Sequence, residues 1–204
     1  MTLQRPEPRL VLASASASRR ALLAAAGLAF DACPADIDEA PVKQESRAAG
    51  ADAAAAALRL AHLKAAAVAR RMPGALVIGA DQILVCEGTW FDKPPTLAAA
   101  RAQLLALRGR RHTLATAVVC HQDGRDAWEH VEAPCLTMRD FSEDFVDRYL
   151  AAEGEAATAT VGAYRLEGLG VHLFDAAEGE HSAILGLPLL PLLAFLRSNG
   201  VVMS

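Results

Sequence analysis

Apolar residues along this chain fall into short unbroken runs and longer stretches spaced for a helix, and the two alternate. Arg9 to Ala13 reads as a short strand, followed by a serine-rich turn and a helix from about Arg19 to Ala26 that Gly27 stops. Leu28 to Cys33 reads as a second strand, ending at Pro34 and an acidic loop of Asp36, Ile37, Asp38 and Glu39. The spacing then predicts one long alanine-rich helix from Ser46 to Arg71, weakened at Gly50 and ended before Pro73-Gly74. Leu76 to Ala80 is predicted as a buried strand, with the chain extended again from Ile83 to Cys86. A turn at Glu87-Gly88 leads through Lys93-Pro94 to a helix from Thr96 to Leu107. Thr113 to Cys120 and Glu129 to Met138 read as a hairpin across the polar loop His121 to Asp126. Ser142 caps a helix reaching Ala152, and Gly162 to Phe174 is glycine-rich and strand-like. A C-terminal helix follows Gly186-Leu187, with Pro188 in its first turn. Strands alternating with helices predict an α/β fold, and the hairpin makes its sheet mixed.

Composition narrows this picture. The 204 residues suit one domain spanning 1–204, large enough to bury a core without disulfides. Alanine inflates the hydrophobic content of 53%, and aromatics make up only 5%, so closely packed alanine-faced helices are expected. A net charge of −4 with no basic stripe argues against a nucleic-acid polymer as partner. Cys33, Cys86, Cys120 and Cys135 are far apart, without zinc-ligand spacing, and read as free thiols of a reducing compartment. The apolar run Ala183 to Leu196 is shorter than the roughly 20 residues a membrane span needs and holds two prolines. The expected location is the cytoplasm.

Several charges stand where a purely structural protein would avoid them. Arg19 and Arg20 fall in the first turn of a helix, where the macrodipole disfavours cations by about 0.3–1 kcal/mol each. A bound anion reverses that sign, and the hydroxyls of Ser14, Ser16 and Ser18 are close in sequence. Against this stands the plainer reading of two solvated arginines. Lys64 shares an apolar stripe with Leu60 and Val68, and for an isolated lysine the preferred reading is that it snorkels to the surface. Lys93 precedes Pro94, which holds its backbone extended. Asp81 ends an apolar strand, a common place for catalytic or metal-binding carboxylates, and Gly79-Ala80 leave room for an approach to the backbone. Asp36, Asp38 and Glu39 form a solvated loop or supply a hard oxygen ligand to magnesium or manganese. Four cations, at least two carboxylates and loop hydroxyls together suit the handling of a phosphate chain.

In order along the chain, these strings resemble the Maf family of nucleoside triphosphate pyrophosphatases. The opening signature is Leu12-Ala13-Ser14-Ala15-Ser16-Ala17-Ser18-Arg19-Arg20-Ala21-Leu22-Leu23. Asp38-Glu39, Leu60-Ala61-His62-Leu63-Lys64-Ala65, Ile78-Gly79-Ala80-Asp81-Gln82, Lys93-Pro94 and Gly109-Arg110-Arg111-His112 follow. Gly162-Ala163-Tyr164-Arg165-Leu166-Glu167-Gly168 and Gly186-Leu187-Pro188-Leu189 complete the set. The resemblance implies an inosine-triphosphatase-like α/β fold, elongated, with a twisted mixed sheet flanked by helices and a deep cleft between two lobes. It implies hydrolysis of a nucleoside triphosphate to monophosphate and pyrophosphate. Asp81 would be the proton acceptor, and Glu39 with Asp81 would hold Mg2+, Mn2+ or Co2+. Ser14, Ser16, Arg19, Arg20, Lys64 and Lys93 would bind the triphosphate. A homodimer also follows only from the resemblance.

Three positions bear on the base by the same resemblance: Ser18, Gln82 and Glu167. Gln82 and Glu167 look like the branch acting on 7-methylguanosine triphosphate, a house-cleaning activity. A carboxylate can accept two hydrogen bonds from guanine and favours a cationic ring. Ser18 stands where that branch carries a stacking tryptophan. Ala17, Leu63, Arg108 and a longer stretch at Ala156 to Thr160 also depart from the family pattern. The thymidine and uridine triphosphate branch is the alternative substrate class. A nucleotide-binding regulator of septum formation, without turnover, is the alternative of another kind.

Overall fold

The computed structural model describes residues 3–203. In chain order its elements are β1 (Leu10–Leu12), α1 (Ala17–Ala25), β2 (Asp31–Ala32), α2 (Glu39–Ala48), α3 (Ala53–Ala69) and β3 (Leu76–Cys86). Next come β4 (Thr89–Phe91), α4 (Leu97–Leu107), β5 (Arg111–Gln122), β6 (Arg125–Glu132), β7 (Cys135–Met138) and α5 (Glu143–Glu153). Three 3-10 turns precede β8 (Phe174–Glu178), α6 (His181–Ile184) and α7 (Leu189–Ser198). The fold is α/β, with an eight-stranded mixed sheet among the described residues. No helix among them is long and apolar enough to cross a membrane.

The chain divides into two compact units. The first comprises the chain to Gln82, Thr116–Glu132 and the chain from His181; the second comprises Ile83–Ala115 and Ala133–Glu180. In the first unit, β1 pairs in parallel with both β2 and β3, and β6 runs antiparallel to β5. Alternation along the strands sends Leu10, Leu12, Leu76, Ile78, Ala80, Val118 and Cys120 into a core shared with Leu23 of α1 and Leu192, Phe195 and Leu196 of α7. Each such leucine contributes about 1.5–3 kcal/mol on burial. The other face of β3 meets the alanine-rich side of α3, where Ala57, Ala61 and Ala65 are fully buried.

Six sequence expectations need correction. The single helix from Ser46 to Arg71 is two helices, because Asp52 caps a new one by accepting from Ala55 N–H at 2.7 Å. The first of them starts at Glu39, with Asp38 as its cap, so the acidic loop ends in a helix. The strand expected at Leu28 to Cys33 shortens to Asp31–Ala32. The strand expected at Glu129 to Met138 is split into β6 and β7 around Pro134, which lacks an N–H for a ladder. Gly162 to Phe174 is not a strand: Gly168 N–H bonds Arg165 O and Val171 N–H bonds Gly168 O, so 3-10 turns replace extension until β8 begins. Pro188 is the cap residue of α7 rather than part of its first turn. All four cysteines are free thiols.

In the second unit, β4 runs antiparallel to β3 and β7 lies antiparallel to both β5 and β8. Its core buries His112 of β5. The ring sits within 6 Å of Tyr164 and Phe174, with Nε2 2.8 Å from Tyr164 Oη and Nδ1 buried without a partner. Burial pushes the His112 pKa from 6.5 down to about 4. The unfolded chain therefore takes up a proton first as pH falls, and stability is lost between 6.5 and about 4. The loss should approach about 3 kcal/mol at the acid end. Urea denaturation at neutral and acidic pH should show that decline, and His112→Gln, which does not titrate, should flatten it.

Candidate active site

The first unit gathers Ser14, Ser16, Ser18, Arg19, Arg20, Glu39, Lys64, Asp81 and Gln82. Their convergence starts with the pleat of β3. Residues 79 and 81 share one face of the strand. Gly79 has no Cβ, and one placed there would lie 2.3 Å from Ala61 O and 2.8 Å from Ala65 N. The α3 backbone therefore rests directly on the strand. The room left at Gly79 is filled by a helix and not by a ligand. One turn along that helix, Lys64 reaches down to Asp81, its Nζ 2.5 Å from Oδ1. Lys64 does not snorkel: the residue is only 8% exposed.

Asp81 lies inside β3, which runs on to Cys86, so it is not the last residue of a strand. Its Oδ2 is buried and has no hydrogen-bond partner. Burial raises the carboxyl pKa above the ordinary aspartate value, while Lys64 and Arg19 pull it down and Glu39 adds to the rise. Glu39, at the start of α2, brings its Oε1 within 2.6 Å of the same Lys64 ammonium. Two carboxylates thus converge on one cationic position. Among the described residues no three acid, histidine or cysteine groups gather to hold a metal. Asp81 and Glu39 are the oxygen pair that could contribute to one, with the orphaned Oδ2 offering a lone pair. Asp36 and Asp38 stay outside this pair, Asp38 serving as the α2 cap.

Arg19 enters from the other side of β3. Its Nε donates to Gly186 O at 2.7 Å and its Nη1 to Ala80 O at 3.0 Å and Ser14 Oγ at 3.3 Å. Burial lowers the guanidinium pKa, and the charges of Asp81 and Glu39 oppose that drop. Gly186 has φ +98, and an added Cβ would lie 3.3 Å from Arg19 Nε, so glycine serves both the turn and the approach. Arg20 is exposed, and its guanidinium donates to Ala15 O at 2.8 Å.

The serine oxygens organise this corner. Ser16 caps α1 and accepts from Arg19 N–H at 3.4 Å, and Ser14 accepts from Ser16 N–H at 3.2 Å. Because they act here as acceptors, their own hydroxyl hydrogens stay available to an anion. Ser18 sits half-buried in the first turn of α1. Gln82, one residue past Asp81, projects to the opposite face and donates to Thr116 Oγ1, Ala183 O and Ile184 O. Lys93 and Glu167 belong to the second unit, where both are exposed. Sequence reasoning missed Lys43, whose ammonium is 3.8 Å from Glu39. Its signal was an i,i+4 acid–lysine pair, hidden while Glu39 was read as loop. Gly79, Thr116 and Gly186 were missed as positioning elements.

Comparison with known proteins agrees with the sequence strings. A family model described as Maf-like protein matches residues 9–199. A nucleoside triphosphate pyrophosphatase of Granulibacter bethesdensis is 59% identical over 191 residues, covering 94% of this chain and 97% of that protein. One of Paramagnetospirillum magneticum is 54% identical over 190 residues, covering 93% and 98%. A 7-methyl-GTP pyrophosphatase of Rhizobium meliloti is 47% identical over 196 residues, covering 96% and 98%.

The contact at Gly79 makes a test. Gly79→Ala should force α3 off the strand, costing roughly 1–3 kcal/mol of stability and separating Lys64 from Asp81. A chemical-denaturation curve measures the first effect and a crystal structure the second. An unmoved helix with an intact Lys64–Asp81 contact would remove Gly79 from the account.

Proposed function

We propose that this chain, which belongs to the Maf-like protein family, is an enzyme that hydrolyses a nucleoside triphosphate to its monophosphate and pyrophosphate. The observation that carries the reading is Asp81: a buried carboxylate with one oxygen on Lys64 and the other orphaned. A structural aspartate at such depth would have both oxygens satisfied. The open Oδ2 accepts a proton from the attacking water, and burial raises its proton affinity toward that of a useful base. Lys64 favours the ionised carboxylate in its dry setting. Arg20, the Arg19 guanidinium and the hydroxyls of Ser14 and Ser16 present donors to phosphate oxygens around the N-terminus of α1.

A divalent cation, Mg2+, Mn2+ or Co2+, fits the hard oxygens of Asp81 and Glu39, with water and phosphate oxygens completing its shell. When bound, it would neutralise phosphate charge and polarise the reacting phosphorus. We infer 7-methylguanosine triphosphate as the first substrate class to test, on Glu167 and the name of the Rhizobium meliloti relative. Thymidine and uridine triphosphates come second. The cytoplasm suits four free thiols.

Purified protein with magnesium or manganese should release pyrophosphate, not orthophosphate, from at least one member of a panel of normal and methylated nucleoside triphosphates. Nucleotide binding with no product over hours would instead favour the regulatory reading. In the same assay, Lys93→Ala and Glu167→Ala test the roles implied for those residues.

Asp81→Asn should lower kcat by roughly 10²–10⁴-fold while the protein stays folded. Because burial raises the Asp81 pKa, the carboxyl of the metal-free protein should titrate above the ordinary aspartate range by NMR. Lys64 opposes that rise, so Lys64→Met should move the titration to still higher pH. Full turnover in Asp81→Asn would rule out Asp81 as the base.

A further inference from the structure

Gln82 and Thr116 form a hydrogen-bonded bracket around the turn that follows α6. Gln82 Nε2 lies 2.8 Å from Thr116 Oγ1, 2.9 Å from Ala183 O and 3.1 Å from Ile184 O. The Thr116 hydroxyl donates to Ala183 O at 3.1 Å. That same carbonyl accepts the N–H of Gly186 at 3.0 Å. The carbonyl of Gly186 then accepts from Arg19 Nε at 2.7 Å. Thr116 is fully buried and Gln82 half-buried.

A carboxamide nitrogen has two hydrogens. Three acceptors stand around it here, and none of its donor capacity is left for a ligand. Turning the amide over would point its oxygen at the carbonyls of Ala183 and Ile184, so these neighbours fix its orientation. We propose that Gln82 is a positioning residue: with Thr116 it holds the Ala183–Gly186 turn, and through Gly186 O it aims the Arg19 guanidinium. It acts on turnover through the placement of the phosphate chain and makes no bond to the base, so it does not choose between nucleobases. The proposal rests on the reading above only in taking a phosphate chain as the ligand of Arg19.

The test uses the full chain carrying Gln82→Met, Thr116→Val, Thr116→Ser or Arg19→Lys. Two measurements are independent of any nucleobase: hydrogen exchange of the Arg19 Nε–H by NMR, and binding of inorganic tripolyphosphate by calorimetry. In Gln82→Met and Thr116→Val, exchange should quicken and tripolyphosphate affinity fall, each roughly tenfold, the loss of one or two hydrogen bonds. Thr116→Ser, which keeps the hydroxyl, should restore both values. The ratio of kcat/KM between purine and pyrimidine triphosphates should stay as in the unaltered protein. Using two variants on different strands guards against one of them failing to fold. A changed base ratio in Gln82→Met with tripolyphosphate binding intact would overturn the proposal, as would Arg19 exchange that neither variant alters. If Arg19→Lys leaves tripolyphosphate binding untouched while Thr116→Val still quickens the exchange, the bracket stands and the phosphate role of Arg19 fails.

Discussion

An ammonium and a carboxylate 2.5 Å apart inside a protein must each be stripped of water, and their attraction repays that cost only if the geometry is close and held. Everything around Lys64 and Asp81 serves that closeness. A helix lined with alanine, not leucine, faces the strand, and the strand presents glycine where the two backbones meet. A hydrophobic pair of similar volume would be at least as stable there. What the charged pair supplies is a buried carboxylate whose ionised form a neighbouring cation favours, with one oxygen occupied and the other left open. Losing one partner alone would strand the other charge, at a cost of about 3–5 kcal/mol in buried pairs generally. Glu39 moderates this by giving Lys64 a second acceptor.

Strand β3 arranges groups on both of its faces. Gly79 and Asp81 address α3, while Ala80 packs in the core on the opposite side and Gln82 reaches the turn after α6. Between them, the backbone carbonyl of Ala80 accepts from Arg19, so the strand supplies an acceptor for the arginine and the carboxylate that favours its charge. A shift of one residue in register would exchange these faces, sending Asp81 into the leucine core and Ala80 under Lys64. The parallel pairing of β1 with β3, from Leu10 opposite Leu76 to Leu12 opposite Ile78, fixes that register just upstream of the site. Fold and site are set by the same three pairs.

Alternating strands and helices were legible in the chain, as were the cations at the start of α1 and the anomalous lysine on an alanine-rich helix. Those signals are local: a period, a cap, a charge on an apolar stripe. What the chain hid was non-local. Gly79 next to Asp81 suggested access for a ligand, and only the packed helix shows that the missing Cβ admits Ala61 and Ala65. Glu39 looked like loop because alanine and proline follow it, yet Asp38 caps a helix there and places both Glu39 and Lys43. The break before α3 was marked by Asp52, a cap signal outweighed by the alanine content on either side. Gly162 to Phe174 misled because its apolar and glycine residues fit a strand, while local i to i+3 bonds gave turns instead.

Under the proposed function, the polarity of the site's hydrogen bonds matters as much as its charge. Around the first turn of α1, Ser14 and Ser16 accept from backbone and arginine groups and can still donate, and Arg19 and Arg20 can only donate. That corner is therefore rich in donors, which suits a polyanion and disfavours a cation. On the α3 face the order is reversed: Asp81 and Glu39 accept, and Lys64 lies between them. A phosphate chain drawn to the donors would set its reacting end beside the buried Asp81 oxygen that has no partner. Hydrolysis needs that asymmetry, since the leaving phosphates gather negative charge while the attacking water sheds a proton. A uniformly cationic pocket would bind the same chain as tightly and leave the water no base.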